Sequence, residues 1–125
     1  MAFVIEQTPT FTHPITIREL QDGGKYRTHQ FEAVFRRLPQ SRMEEVQLLY
    51  QQMKAAAARD QPLEGIPTRE IASEILAGWN GITEPDGSPV EFSETYKAQL
   101  LEVATVADVL VETFFEAHQK ARSKN

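Results

Sequence analysis

The chain contains no cysteine. That excludes disulfides, thiolate nucleophiles and cysteine-ligated zinc, and it suits a reducing compartment. Positive charge is in short supply: 13 Lys and Arg stand against 18 Asp and Glu, a net charge of −5. A surface of that sign repels phosphate, so nucleic acid is not expected as a partner. No apolar run approaches the roughly eighteen residues a bilayer span requires, so no membrane partner is expected either. The first residues, MAFVIEQTPTFTHP, have neither the basic start nor the apolar stretch of a signal peptide. A cytoplasmic protein is the expectation.

Catalytic constellations are scarce too. The three histidines, His13, His29 and His118, fall at no metal-ligand or helical-pair spacing. His13 and His29 could share one side of a hairpin, but a third ligand is missing. No nucleophile elbow, phosphate-cradling glycine loop or dinucleotide fingerprint occurs. Paired carboxylates such as Glu44/Glu45 and Glu112/Glu116 read as solvated helix faces, and Glu84, Asp86 and Ser88 do not complete a calcium loop. The expectation is a protein with no enzymatic activity, catalytic residue, cofactor or metal.

What remains is a chain of 125 residues, 41% of them apolar and 25% charged, enough for a single soluble domain over residues 1–125. Residues 1–12 read as an N-terminal arm. Residues 13–37 read as a β-hairpin around Asp22-Gly23-Gly24. In the register that separates apolar from polar residues, Leu20 faces Tyr26, Glu19 faces Arg27 and Ile15 faces Phe31. Ile15, Ile17, His29, Phe31, Ala33 and Phe35 then share one side. The helical part, 41–121, opens at Ser41, which with Glu44 has the form of a capping box. A first helix with Met43, Val46, Leu49, Tyr50, Met53 and Ala57 in its stripe runs to about Arg59. Gln61-Pro62 and Gly65 break it. A short second helix from Thr68 stops near Gly78. Ser93 caps a third helix with Tyr96, Leu100 and Leu101, and a bend at Ala104-Thr105 precedes the last one. The fold class is α+β: an N-terminal antiparallel hairpin packed against a bundle of about four helices. Arg36, Arg37 and Arg42 form the main basic cluster, read as a strand end kept soluble.

The segment GWNGITEPDGSPVEFS (78–93) concentrates turn-forming residues around the single tryptophan. Trp79 follows a helix stop, Asn80-Gly81 permits a reversal, Pro85-Asp86-Gly87 makes a second tight turn, and Pro89 leads into the Ser93-capped helix. The expected result is a structural elbow built on Trp79, Asn80, Gly81, Asp86, Gly87 and Pro89.

The order of these elements resembles the tail assembly chaperones of long-tailed (siphovirus-type) bacteriophages or prophages. The matching features are Gly78-Trp79, Asn80-Gly81, Asp86-Gly87, Pro89-Val90, Phe92-Ser93, Leu100-Leu101 and a last helix ending Phe114-Phe115-Glu116-Ala117. About fifty residues match well and the upstream half more loosely; Ala104-Thr105 departs from the Pro that often precedes the last helix. The resemblance implies a protein of the host bacterial cytoplasm that binds the tape-measure protein, helps recruit the tail-tube protein and leaves before the virion is finished. A connector or tail-completion protein retained in the virion and a small non-phage regulatory adaptor are the alternatives. For the client surface the sequence offers the last helix. Val106, Val109, Leu110 and Phe114 form its main stripe, and Val111 and Phe115 lie off that stripe and are expected to be partly exposed. Val111, Phe115, Phe114 and Val106 are therefore the expected partner-binding residues, with self-association as a linked expectation and the hairpin edge as a second surface.

Overall fold

The computed structural model describes residues 3, 5, 8–60 and 68–123. Strands β1 (Thr10–Leu20) and β2 (Tyr26–Arg36) form the hairpin. Leu20 pairs with Tyr26, Glu19 with Arg27 and Ile15 with Phe31, the register the apolar pattern demands. A one-residue slip would turn Ile15, Ile17, Ala33 and Phe35, all buried, toward solvent. The turn closes through the Gln21 N–H, which donates to the Lys25 carbonyl at 2.7 Å. Gly23 and Gly24 both take φ of +76°, a region closed to most side chains. The hairpin is longer at its base than the sequence suggests. Thr10, Phe11 and Thr12, assigned to the arm, pair with Arg36, Phe35 and Val34.

The main departure is a third strand. The short helix expected to stop near Gly78 is α2, Thr68–Ile75, and the chain passes directly into β3, Leu76–Asn80. β3 pairs antiparallel with β2, giving a three-stranded sheet of order β1-β2-β3. Leu76 and Trp79 are three residues apart and would normally face opposite sides of a strand. The register shifts between Val34 and Phe35, and that bulge lets both reach the core. Apolar residues three apart imitate a helical stripe, which is why the segment reads as the end of a helix. Gly78 sits opposite Val34, whose Cβ would lie 3.4 Å from any added Cβ.

Four helices complete the α+β arrangement: α1 (Gln40–Ala58), α2, α3 (Glu94–Glu102) and α4 (Val106–Ser123). The expected capping box does not form. α1 starts two residues earlier than a Ser41 cap would place it, after Pro39, so Ser41 lies inside the helix and Gln40 Nε2 donates to Glu44 at 3.2 Å. Ser93 does cap α3, its Oγ accepting from the Tyr96 N–H at 3.1 Å. The bend at Ala104-Thr105 is present. Thr105 takes φ of +73°, a left-handed conformation costing about 1–2 kcal/mol for a residue with a Cβ. The breaker segment 61–67 lies outside the described residues.

α2 and α4 lie against each other and against the sheet, and α3 touches both. Phe114 anchors the contact: its ring is 5.4 Å from Phe35, edge on, and 6.1 Å from Phe11. The buried stripe of α4 repeats every four residues as Val106/Ala107, Leu110/Val111 and Phe114/Phe115. It is wide enough to be covered from several sides, by the sheet and α2, with a single ring of α1, Tyr50, over Phe115.

Candidate functional site

That wide stripe corrects the expected partner surface. Val111 is 1% exposed and Phe115 8%, although both were expected to reach solvent. Val106 and Phe114 are buried as well. α2 and the sheet lie against α4, and over Phe115 Tyr50 of α1 stacks with ring centroids 4.7 Å apart and planes 24° from parallel. The four residues are core, and in this conformation they present no surface to a client.

The elbow residues divide: Trp79 and Asn80 belong to β3, and Asp86, Gly87 and Pro89 lie in a small ribbon entered through Gly81. The Val90 N–H donates to the Ile82 carbonyl at 2.9 Å, Thr83 bridges Pro89, and the Gly87 N–H closes on Glu84 at 2.9 Å. Gly81 and Gly87 take φ of +92° and +90°. Asp86 accepts from both the hydroxyl and the N–H of Ser88, at 2.6 and 2.9 Å, which holds its carboxyl below the usual range. Trp79 fastens the ribbon to the core. Its Nε1–H donates to the Val90 carbonyl at 2.8 Å, and its ring meets Phe92 edge on at 4.9 Å.

The basic cluster turns inward to its own chain. Arg42 makes a two-point contact with Glu74, at 2.9 and 2.7 Å, and a third bond to Glu45 at 2.7 Å. Arg36 reaches the Glu74 carbonyl at 3.1 Å, and Arg37 lies over the Phe11 ring. These contacts pin α1 and β2 to α2. The hydrogen bonds from Arg42 hold the Glu74 carboxyl below its ordinary value of 4.5. Stability from this pair is therefore fully present above about pH 4.5 and is lost as pH falls through the lowered folded value. Glu74→Gln is expected to lower stability at neutral pH and to flatten the acid limb of an unfolding midpoint measured against pH. The slope that remains comes from groups such as Asp86.

A buried lysine was missed by the sequence reading. Lys97 is 6% exposed, and its Nζ donates to the Ser73 carbonyl at 3.0 Å and contacts Glu94 at 3.2 Å. It caps the C-terminal end of α2, where cations are favoured. Its place one turn before the buried Leu101 was the available signal. Among the described residues no three His, Asp or Glu side chains gather to hold a metal ion. His13 and His29 sit four positions apart along the hairpin, opposite Ala33 and Ile17.

The surface feature that stands out lies elsewhere, between the hairpin tip and the corner joining α3 to α4. A cleft of about 630 Å³ opens there, mostly apolar in its lining. One wall comes from the hairpin: Ile17, Leu20, Tyr26 and Phe31. The other comes from the elbow and the corner: Ile82, Leu100, Val103 and Val106. Leu20, Tyr26 and Val103 are 69%, 64% and 53% exposed, large apolar side chains held in water around one depression. Scattered apolar residues are ordinary on a surface, but three around a concave site make this the candidate binding surface. The strained Thr105 forms part of the same rim. A larger groove, about 800 Å³ beside Pro9, Pro39 and His118, is more polar. In the sequence Leu20 and Tyr26 were visible only as an apolar pair flanking a turn. The corner that faces them is eighty residues away, roughly, and no local pattern links the two.

No helix among the described residues is long and apolar enough to cross a membrane. No curated protein and no solved structure matches the chain. A family model, described as YdaY prophage protein, matches residues 36–125. The match begins at the last residue of β2 and takes in β3, all four helices, the elbow and the corner wall of the cleft. Since it covers well over half of the chain, the protein belongs to the YdaY prophage protein family.

Proposed function

We propose that the protein is a phage tail assembly chaperone. It holds apolar segments of the tape-measure protein in the cleft between the hairpin tip and the α3–α4 corner, helps recruit tail-tube subunits, and is absent from the finished virion. The observation that carries this reading is the ring of exposed Leu20, Tyr26 and Val103 around the cleft, on a chain of prophage origin. An elongated client rich in apolar helical segments would otherwise self-associate. A shallow apolar cleft suits it, because many related segments can enter at modest affinity. Several copies along one client then add avidity. This moves the client surface from the last helix to the cleft and leaves the biological role unchanged.

The experiment is co-expression with the product of the long helical reading frame expected just downstream. The wild-type chain is expected to keep that product soluble and to co-purify with it. Leu20→Asp with Val103→Asp should weaken the association at least about tenfold, the scale of a lost central contact. Both positions are exposed, so the variant should melt close to the wild type. Mass spectrometry of purified particles is expected to find the protein missing. Stoichiometric retention in particles would replace the chaperone with a connector, and undiminished client binding by the double variant would remove the cleft.

A further inference from the structure

Among the described residues seven large apolar side chains are exposed, and five of them fall in two places. Leu20, Tyr26 and Val103 ring the cleft. Phe3 and Ile5 stand on the N-terminal arm, 83% and 93% exposed, with no seat in the core of their own chain. The other two, Leu48 and Tyr96, are single residues on α1 and α3. We infer that the cleft of one copy receives Phe3 and Ile5 from the arm of a second copy. In an extended chain, residues two apart project to the same side, so these two can enter a groove together. Alternate side chains of an extended segment set into apolar pockets are a common mode of recognition. A cleft of about 630 Å³ with two apolar walls is of the size that such a segment fills.

Reach requires that the arm come from another copy. The chain is tied down where the arm meets the hairpin. The Arg37 N–H donates to the Pro9 carbonyl at 2.9 Å, and Arg37 Nε donates to the Thr8 hydroxyl at 3.4 Å. From Thr8 back to Phe3 even a fully extended chain spans at most about 18 Å. The rim of the cleft lies at the far end of the hairpin. β1 runs from Thr10 to Leu20, roughly 33 Å at an ordinary strand rise. Phe3 therefore stops well short of Leu20 and Tyr26 in its own chain, whereas a neighbour's arm has no such restraint. The contact is heterologous, one copy giving the arm and the other the cleft. The inference does not rest on the chaperone reading. Where both hold, a client segment enters by displacing the arm, and the arm shields the apolar walls of unloaded copies.

Sedimentation velocity on the full chain, up to about millimolar concentration, tests the inference, because two apolar side chains give only modest affinity. The wild type is expected to associate reversibly. An arm variant, Phe3→Ser with Ile5→Ser, and a cleft variant, Leu20→Ser with Val103→Ser, should each weaken that association at least about tenfold. All four residues are exposed, so circular dichroism and the melting midpoint should stay as in the wild type. Mixed together, the two variants should pair, since one keeps a whole cleft and the other a whole arm. By fluorescence anisotropy, a labelled peptide of residues 1–8, MAFVIEQT, should bind the arm variant and not the cleft variant. The same peptide with serine in place of Phe3 and Ile5 should bind neither. A wild type that stays monomeric would overturn the inference, as would variants that fail to pair when mixed. Association lost in the cleft variant but kept in the arm variant would mean that cleft meets cleft, and would remove the arm. None of these results alters the co-expression test, so the chaperone reading stands or falls separately.

Discussion

Phe115→Asp is expected to unfold the protein rather than leave a folded chain with a damaged client surface. The side chain is 8% exposed and sits between Tyr50 at 4.7 Å and Phe114 at 5.5 Å. Truncating a buried phenylalanine typically costs about 3–5 kcal/mol. Placing a carboxylate there adds the cost of burying a charge with no partner. A domain of this size commonly has only about 5–15 kcal/mol in total, so the variant should be largely unfolded at room temperature. Circular dichroism and a thermal melt would show it, as loss of helical signal and of a cooperative transition. Val111→Asp should behave the same way, whereas Phe115→Leu should stay folded at a lower midpoint. A Phe115→Asp protein that melted like the wild type would mean that α1 does not cover α4. It would also return Val111 and Phe115 to the surface, where the sequence pattern had put them. A failure of this variant to bind a client says nothing about a client surface unless folding is measured beside it.

The parts legible in the sequence are those governed by near neighbours. The hairpin register followed from alternation and a glycine turn, and the Ser93 cap and the Thr105 bend from single residues at helix ends. The parts that were not legible depend on partners far away in the chain. β3 is a strand because β2 offers it an edge, and the bulge at Val34/Phe35 hides its alternation. The exposure of Val111 and Phe115 could not be read from α4 alone, because the width of an apolar stripe does not say how many neighbours cover it. Arg42 and Glu74 are thirty-two positions apart, and nothing near either one announces the pair. The cleft has the same character. Each wall is an unremarked local feature, and only the closure of the sheet against the α3–α4 corner brings them face to face.

Trp79→Ala is expected to cost about 3–5 kcal/mol, the range for emptying a buried aromatic site, and to damage the cleft as well as the core. Trp79 is 8% exposed and does three things from one strand position. It fills the core opposite Ala33, packs on Phe92 just before the Ser93 cap, and hydrogen-bonds Val90 across the elbow ribbon. Trp79→Phe separates these roles. It keeps most of the apolar filling and loses the hydrogen bond, a change of about 0.5–1.5 kcal/mol. Chemical denaturation of the two variants should therefore give clearly different midpoints with similar slopes. The effect on binding follows from where the elbow leads. Ile82, three residues past Trp79, is part of the cleft wall, and Val90 pairs with it in the same ribbon. Releasing the tryptophan frees the ribbon and, through Phe92 and Ser93, the start of α3 that carries Leu100 to the cleft. Trp79→Phe should hold peptides nearly as well as the wild type. Trp79→Ala, tested at a temperature where it is still folded, should bind them several-fold more weakly. Undiminished binding by a folded Trp79→Ala protein would mean that the corner wall is positioned without the elbow, by α2 and α4 alone.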